Sequence, residues 1–352
     1  MKPESRGSAA KVAEPPSPGA LDCLRAIRRL MALCLLPGCL HVGTGAAAGA
    51  EPVVYRLKWL QNSSTVGDLY ADVHGFFAAR GLSVVVKPGG PERDAIKELE
   101  LGHSHFGVAS ADQVIRAAAK GAPVVVIAQI FQVNPLQWIY RSNRPPIDAL
   151  AQLKGLTIGI TYGGNDETIM RTVLAKAGLD ESDITLLSVR YDFTPFYRGR
   201  ADLWPIYRNS QGIVIANRMA QSGEPVRFFN PADFGVHFVA NSVVVHQRLI
   251  DTRPDLVHRF RQALLQGWQA ALDEKNEARA LETIARFDAD TPPDLMARQL
   301  QVTRKLVRPT PDFAVGRLDV EAWRQTEEIM RARGLIPRAV DVVSRLYRPG
   351  AP

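Results

Sequence analysis

Cysteine is nearly absent from this chain, and its few positions are informative. The 352 residues include three cysteines, Cys23, Cys34 and Cys39, and all three fall within the first 50 positions. The rest of the sequence can therefore form no disulfide bond between its own residues, no thiolate metal site and no cysteine nucleophile.

Several enzyme signatures are missing as well. The sequence contains no G-x-x-x-x-G-K-[ST] phosphate loop, no G-x-S-x-G nucleophile turn and no H-E-x-x-H zinc motif. Its seven histidines are scattered, and the alternating pair His103 and His105 is more typical of a surface turn than of a metal site. We therefore expect neither a cofactor nor a metal.

Strong charge and long apolar runs are also lacking. The formal net charge is +7, and it falls to +4 without the first 50 residues, which carry six basic and three acidic side chains. This mild bias, without a basic block, gives no support for nucleic-acid binding. The hydrophobic content of 46% is enough for a large core and suits two lobes better than one.

The first 50 residues resemble an export signal. A basic segment ending at Arg29 precedes the apolar run "LMALCLLPGCL", and small residues follow up to Ala50. These are the three parts of a secretory signal peptide, and the apolar run is too short to span a bilayer. We expect a leader over residues 1–50 and a periplasmic protein. Because "LPGC" is close to a lipidation pattern, an anchor at Cys39 stays open as an alternative to free export.

From Val53 onward, short apolar runs alternate with amphipathic helical patterns, which predicts an α/β fold with parallel sheets. The stretch "RSNRPPIDALAQLKG" interrupts this rhythm, and a mainly helical region follows "FVANSVVVHQRLI". We expect lobe 1 to comprise residues 51–143 and 242–352, and lobe 2 to comprise residues 144–241.

Two segments share one pattern of strand, Gly-Gly turn, acidic first turn and helix. They are "VVVKPGGPERDAIKELELG" and "LTIGITYGGNDETIMRTVLAKAG". In open parallel sheets, ligands bind beyond the carboxyl ends of the strands, against helix N-termini, so the two turns predict a cleft. Asp166 and Glu167 would repel a phosphate at that helix end, although either acid could simply complement the helix dipole.

Several motifs in order resemble one known family. "LKWLQNSSTVGDLYADVHGFFAARG", "GGNDETIMRTVLAKAGL", "YDFTPFYRGRADLWPIY" and "NPADFGV" are similar to segments of periplasmic substrate-binding proteins that serve ABC-type importers of thiamine-pyrimidine precursors. The resemblance spans roughly Val53 to Trp268. It implies a type II periplasmic-binding-protein fold, in which two lobes close on a ligand, and a monomer that delivers this ligand to permease and ATPase subunits.

The same family has a pyrimidine-synthase branch that uses pyridoxal phosphate, a lysine and a sacrificed histidine. The resemblance places Ala109 and Gln113 at those two positions. Without an amine for the Schiff base and an imidazole to consume, the synthase reaction is disfavoured.

For a planar nitrogen heterocycle, uncharged or cationic, we expect an aromatic wall and a few fixed polar groups. Trp59 would stack on the ring, Gly89 and Gly90 would let backbone approach it, and the acids would accept from ligand amines. The candidate ligand-binding residues are Trp59, Asn62, Gly89, Gly90, Ser110, Asp112, Asn165, Glu167, Asp192 and Tyr207.

For some of these residues, a purely structural role stays open as an alternative to ligand binding. Trp59 could belong to the core, and Asp192 could cap the short helix that follows it. At the level of function, the alternatives are an orphan ligand-sensing receptor and a binder of another small ligand, such as riboflavin or a sulfonate.

Overall fold

The computed structural model describes residues 49–90, 92–190 and 192–348, so most of the expected leader, including Cys39, lies outside the described residues. The strands are β1 Glu51–Arg56, β2 Leu82–Lys87, β3 Phe106–Ala109, β4 Val124–Gln129, β5 Leu136–Arg141, β6 Thr157–Ile160, β7 Thr185–Ser188, β8 Trp204–Tyr207, β9 Val226–Phe229 and β10 Ser242–His246. The helices are α1 Val66–Val73, α2 Ala95–Glu100, α3 Ala111–Ala119, α4 Asn165–Ala177, α5 Thr194–Tyr197, α6 Gln211–Gln221, α7 Gln247–Thr252, α8 Pro254–Leu272, α9 Glu277–Ala285, α10 Pro293–Val307 and α11 Val320–Ala332.

The first sheet has the strand order β2-β1-β3-β10-β4. Strands β2, β1 and β3 run parallel, as alternating strands and crossover helices predict, whereas β10 is antiparallel to both of its neighbours. The chain therefore leaves the first sheet after β4 and returns to it at β10.

The segment between β4 and β10 forms the second group of strands. Strands β8, β5 and β9 form an antiparallel sheet, β6 pairs in parallel with β7, and a parallel bridge between Ile158 and Leu203 links the two pieces. The expectation of parallel pairing is thus corrected for β8 and β9, which both pair antiparallel with β5. The chain passes from the first sheet to this group between β4 and β5.

Local sequence explains where several helices begin and end. The Asp94 side chain accepts from the backbone N–H groups of Ile96 and Lys97 and so caps α2. Gly178 follows the last residue of helix α4 and ends it with a φ of 71°, a conformation that favours glycine.

The helical C-terminal region packs on the first sheet. Helix α8 buries Phe260, Leu264 and Trp268 in the same apolar cluster as Tyr55 of β1 and Phe106 of β3. In the part of the chain that the structure describes, no helix is both long and apolar enough to cross a membrane.

Candidate functional site

A cavity of about 280 Å³ lies where the two groups of strands face each other. Its first wall follows the carboxyl ends of β1 and β3, and its second wall follows β6 and the start of α4. This is the position that chain topology favours for a ligand in an open α/β sheet. The lining residues are Lys58, Trp59, Gly90, Arg93, Asp94, Ala95, Val108, Ala109, Gln113, Leu136, Thr161, Tyr162, Gly163, Gly164, Asn165, Asp166, Val189, Arg190, Phe193, Trp204, Pro205, Ile206, Tyr207 and Gln211.

Lys58 joins the two walls. It follows β1, and its Nζ donates to Asn165 Oδ1 at 2.8 Å and to the Tyr207 hydroxyl at 3.2 Å. The ammonium also lies 5.9 Å from the centre of the Tyr207 ring. A cation therefore occupies the middle of the cleft, held by neutral oxygen atoms and an aromatic face.

Asn165 and Asp166 open helix α4 in the opposite wall. Asn165 is 5% exposed, and its Nδ2 is buried without a hydrogen-bond partner among the described residues. Asp166 accepts from the Thr161 backbone N–H at 2.6 Å. Burial raises the pKa of Asp166 to about 6, although the Thr161 hydrogen bonds and the Lys58 charge act in the opposite direction.

Aromatic side chains supply much of the apolar lining. Trp59 comes from the first wall, while Phe193, Trp204 and Tyr207 come from the second. Trp204 is held rigidly, since it is 1% exposed and its ring meets Phe193 edge-on at 6.3 Å. Tyr162, at 55% exposed, lies at the rim.

The two glycine turns differ in their roles. In the first turn Gly90 lines the cavity, whereas Gly89 packs on backbone, because an added Cβ would lie 2.2 Å from the Leu57 carbonyl oxygen. In the second turn both Gly163 and Gly164 line the cavity, and Gly163 has a φ of 79° that favours glycine.

Of the ten candidate residues, four line this cavity, and these are Trp59, Gly90, Asn165 and Tyr207. Gly89 and five others lie outside the lining, and the side chains of all five form local hydrogen bonds. The Asn62 side chain accepts from the Ser64 backbone N–H, and Asp192 accepts from the Thr194 backbone N–H. Glu167 accepts from the Gly163 N–H and pairs with Arg171.

Ser110 and Asp112 are buried at the start of α3, also outside the lining. The Ser110 hydroxyl donates to Asp112 Oδ1 at 2.6 Å, and Arg116 Nη2 lies 3.9 Å from Asp112 Oδ2. The two side chains thus stabilise each other and the first turn of the helix.

Sequence reasoning missed Lys58, Arg93 and Gln211 as lining residues. Lys58 carried a usable signal, because it stands immediately before Trp59 at the end of a strand. Ala109 and Gln113, the positions compared with the synthase, do line the cavity.

Comparisons with known proteins agree with this architecture. A family model described as NMT1/THI5 like matches residues 62–278. The chain is 26% identical over 318 residues to the riboflavin-binding protein RibY of Chloroflexus aurantiacus, across 84% of this chain and 86% of the relative. It is 26% identical over 312 residues to a formylaminopyrimidine-binding protein of Halalkalibacterium halodurans, across 87% of this chain and 92% of the relative.

A solved structure supports the fold. The alkanesulfonate-binding protein SsuA of Xanthomonas axonopodis pv. citri, bound to MOPS, superposes with a TM-score of 0.65 at 22% identity. The match covers 85% of this chain and 99% of that one. The chain therefore has the two-lobed, type II periplasmic-binding-protein fold.

Proposed function

We propose that this chain, which belongs to the NMT1/THI5-like family, is the extracytoplasmic substrate-binding component of an ABC-type importer. Its ligand would be a small planar nitrogen heterocycle, held between the two lobes and passed to membrane permease and ATPase subunits. The relatives that bind formylaminopyrimidine and riboflavin support this class of ligand.

The observation that carries the proposal is the composition of the cavity. Aromatic side chains from both walls surround a few fixed polar groups, which is the usual design of a site for a flat polar ligand. Trp59 and Tyr207 belong to opposite walls, so a ring between them would contact both lobes at once. Such a ligand would favour the closed arrangement of the lobes.

The cavity size favours a small ligand. A volume of about 280 Å³ is slightly below the usual range for small-molecule pockets, which is roughly 300–1,000 Å³. A single-ring heterocycle such as a formylaminopyrimidine would fit this space better than a three-ring flavin.

A synthase reaction is less consistent with the lining. Ala109 and Gln113 face the cavity at the positions where the resemblance places the cofactor lysine and the sacrificed histidine. A methyl group and an amide can neither form a Schiff base nor be consumed as an imidazole. We therefore propose binding without chemical conversion.

The test is to identify and titrate the ligand. Native mass spectrometry of the purified protein would show any copurified compound, and calorimetry would compare formylaminopyrimidine with riboflavin. We expect Trp59→Ala to weaken binding of the preferred ligand by about tenfold or more, because stacking and apolar burial are both lost.

Phe228→Ala is the matched control, since Phe228 is an aromatic residue of β9 that is 44% exposed and outside the cavity lining. The affinity of the Phe228→Ala variant for the preferred ligand should stay within about twofold of that of the parent protein. Unchanged affinity in Trp59→Ala, or conversion of the bound compound during incubation, would contradict the proposal.

A further inference from the structure

We infer that the ligand carries an anionic oxygen group, a carboxylate, a sulfonate or a phosphate ester, and that Lys58 and Asn165 bind it. This inference rests on the proposed function and narrows its ligand class, because the sequence alone favoured an uncharged or cationic ligand.

Lys58 is a cation that lacks an acidic partner. Its Nζ donates to Asn165 Oδ1 and to the Tyr207 hydroxyl, which are both neutral oxygen atoms. It forms no ion pair with any residue that the structure describes. A partly buried ammonium is stabilised most by an opposite charge, and a ligand in this cavity can supply one.

Asn165 provides a second donor beside this ammonium. Because Lys58 donates to Oδ1, the amide must present its Nδ2–H₂ elsewhere, and the opposite amide orientation would place two donors against each other. The buried Nδ2 has no acceptor among residues 49–90, 92–190 and 192–348. A buried donor left without an acceptor is costly, so an oxygen atom of the ligand is the missing partner.

The acids of the lining are already engaged by backbone donors. Asp94 accepts from the Ile96 and Lys97 amides, and Asp166 accepts from the Thr161 amide. Asp166 is close enough for the Lys58 charge to lower its pKa, but the two form no ion pair. Neither carboxylate therefore neutralises Lys58 directly.

The remaining cations of the lining add to the positive potential. Arg93 is exposed, and its side chain makes neither a hydrogen bond nor an ion pair with the described part of the chain. Arg190 pairs with Glu92 at 2.6 Å, which leaves Lys58 and Arg93 as the charges available to a ligand. Around Asn165 the lining therefore offers an unpaired donor and the Lys58 cation, whereas an amine-bearing ligand would need an acceptor there.

The experiment compares two probes that differ in one group, pyrimidine-5-carboxylate and pyrimidine-5-carboxamide. Calorimetry with the full mature protein should show the carboxylate binding at least tenfold more tightly than the amide. Lys58→Met should remove most of that preference, because it deletes the charge and keeps the length, and Lys58→Arg should restore part of it.

Lys97→Met is the control, since Lys97 is an exposed lysine of α2 outside the lining, and it should leave the preference unchanged. Circular dichroism would establish that each variant is folded, and Lys58→Gln provides a second neutral variant. Equal binding of the two probes, or an unchanged preference in both neutral variants, would overturn the inference.

If neither probe binds, the copurified ligand decides the question. An anionic compound whose affinity falls in Lys58→Met supports the inference, and a compound without an acidic group overturns it. The proposed function fails separately, because it predicts that any such ligand depends on Trp59 whatever its charge.

Discussion

Asp68 is a buried acid on α1 and lies outside the lining of the ligand cavity. Its Oδ1 accepts from the Tyr55 hydroxyl at 2.7 Å and from Trp268 Nε1 at 3.2 Å. Burial raises the pKa of Asp68 to about 7, and the two hydrogen bonds only partly oppose that rise. The carboxyl therefore links the folding equilibrium to pH.

The sign of this linkage follows from the two pKa values. An unfolded Asp titrates near 3.8, so between pH 4 and 7 the folded state holds one more proton than the unfolded state. Stability should fall as pH rises through this window, by up to about 1.4 kcal/mol per pH unit. Urea unfolding should show that the free energy of unfolding falls less between pH 5 and pH 8 in Asp68→Asn than in the parent protein.

Exposed Asp290 provides the control for this prediction. Asp290→Asn should reproduce the pH dependence of the parent protein, because the Asp290 carboxyl that it removes is in water in both the folded and the unfolded protein. If Asp68→Asn lost as much stability as the parent protein between the two pH values, Asp68 would not be the titrating group.

At the level of single residues, the sequence predicted the apolar and small lining residues better than the charged ones. Trp59 and Gly90 follow strand ends, and chain topology alone directs such positions toward a cleft. The side chains of Asn62 and Asp192 could hydrogen-bond a ligand. In the structure, each accepts a hydrogen bond from a nearby backbone N–H group instead. Short polar side chains serve either role, and only three-dimensional neighbours separate the two.

Helices α1 and α8 pack closely because glycine residues at their contact have no side chain. An added Cβ at Gly267 would lie 2.4 Å from the Ala71 Cβ and 2.7 Å from the Ala71 Cα. An added Cβ at Gly67 would lie 2.0 Å from the Trp268 ring. The two helices thus approach each other across glycine positions on both sides.

We predict that Gly267→Ala destabilises the protein by about 1–2 kcal/mol. Alanine improves helix propensity by up to about 1 kcal/mol, but overpacking typically costs 1–3 kcal/mol, and here the contact includes backbone that cannot rotate away. Denaturant unfolding measures the difference. Gln269→Ala in the same helix is the control, since Gln269 is exposed, and a Gly267→Ala variant as stable as this control would contradict the close approach.

At the level of elements, alternating apolar and amphipathic segments predicted the strands and helices well. The segment "LQWIYR" was missed, and the structure shows it as β5. Its residues are nearly all buried because β8 and β9 flank it, so it shows little of the alternation that marks a half-exposed strand. Its antiparallel pairing depends on strands far along the chain, which a local pattern cannot reveal.

At the scale of the molecule, several polar contacts join elements of the first sheet to elements of the second group of strands, and the hydrogen bond from Lys58 to Tyr207 is one of them. Lys58 reaches Asn165, Arg116 of α3 reaches Thr168 of α4, and Glu92 pairs with Arg190. We propose that these contacts form when the lobes close and separate when they open. The sequence predicted Asn165 as a site residue but not its partner Lys58, because contacts across a cleft depend on how the lobes meet.

The Glu92–Arg190 pair allows this proposal to be tested at Glu92, which itself lies outside the cavity lining. Both side chains are well exposed, at 66% and 70%, so the pair should contribute about 0.2–1 kcal/mol to closing. Glu92→Gln should therefore weaken binding of the native ligand by up to about fivefold in low salt. The effect should largely disappear near 0.5 M salt, where exposed charges are screened to roughly 4 Å.

A double-mutant cycle with Arg190→Gln isolates the pair from any direct effect of Arg190 on the ligand. Calorimetry of the two single variants and the double variant gives the coupling free energy in binding. Lys154→Gln is the control, since it breaks the exposed 2.8 Å pair with Asp183 beside β6 and β7 and should not change affinity. Additive single effects at low salt would show that Glu92 and Arg190 do not meet as the lobes close, and the closing role would then fall to Lys58 and Arg116.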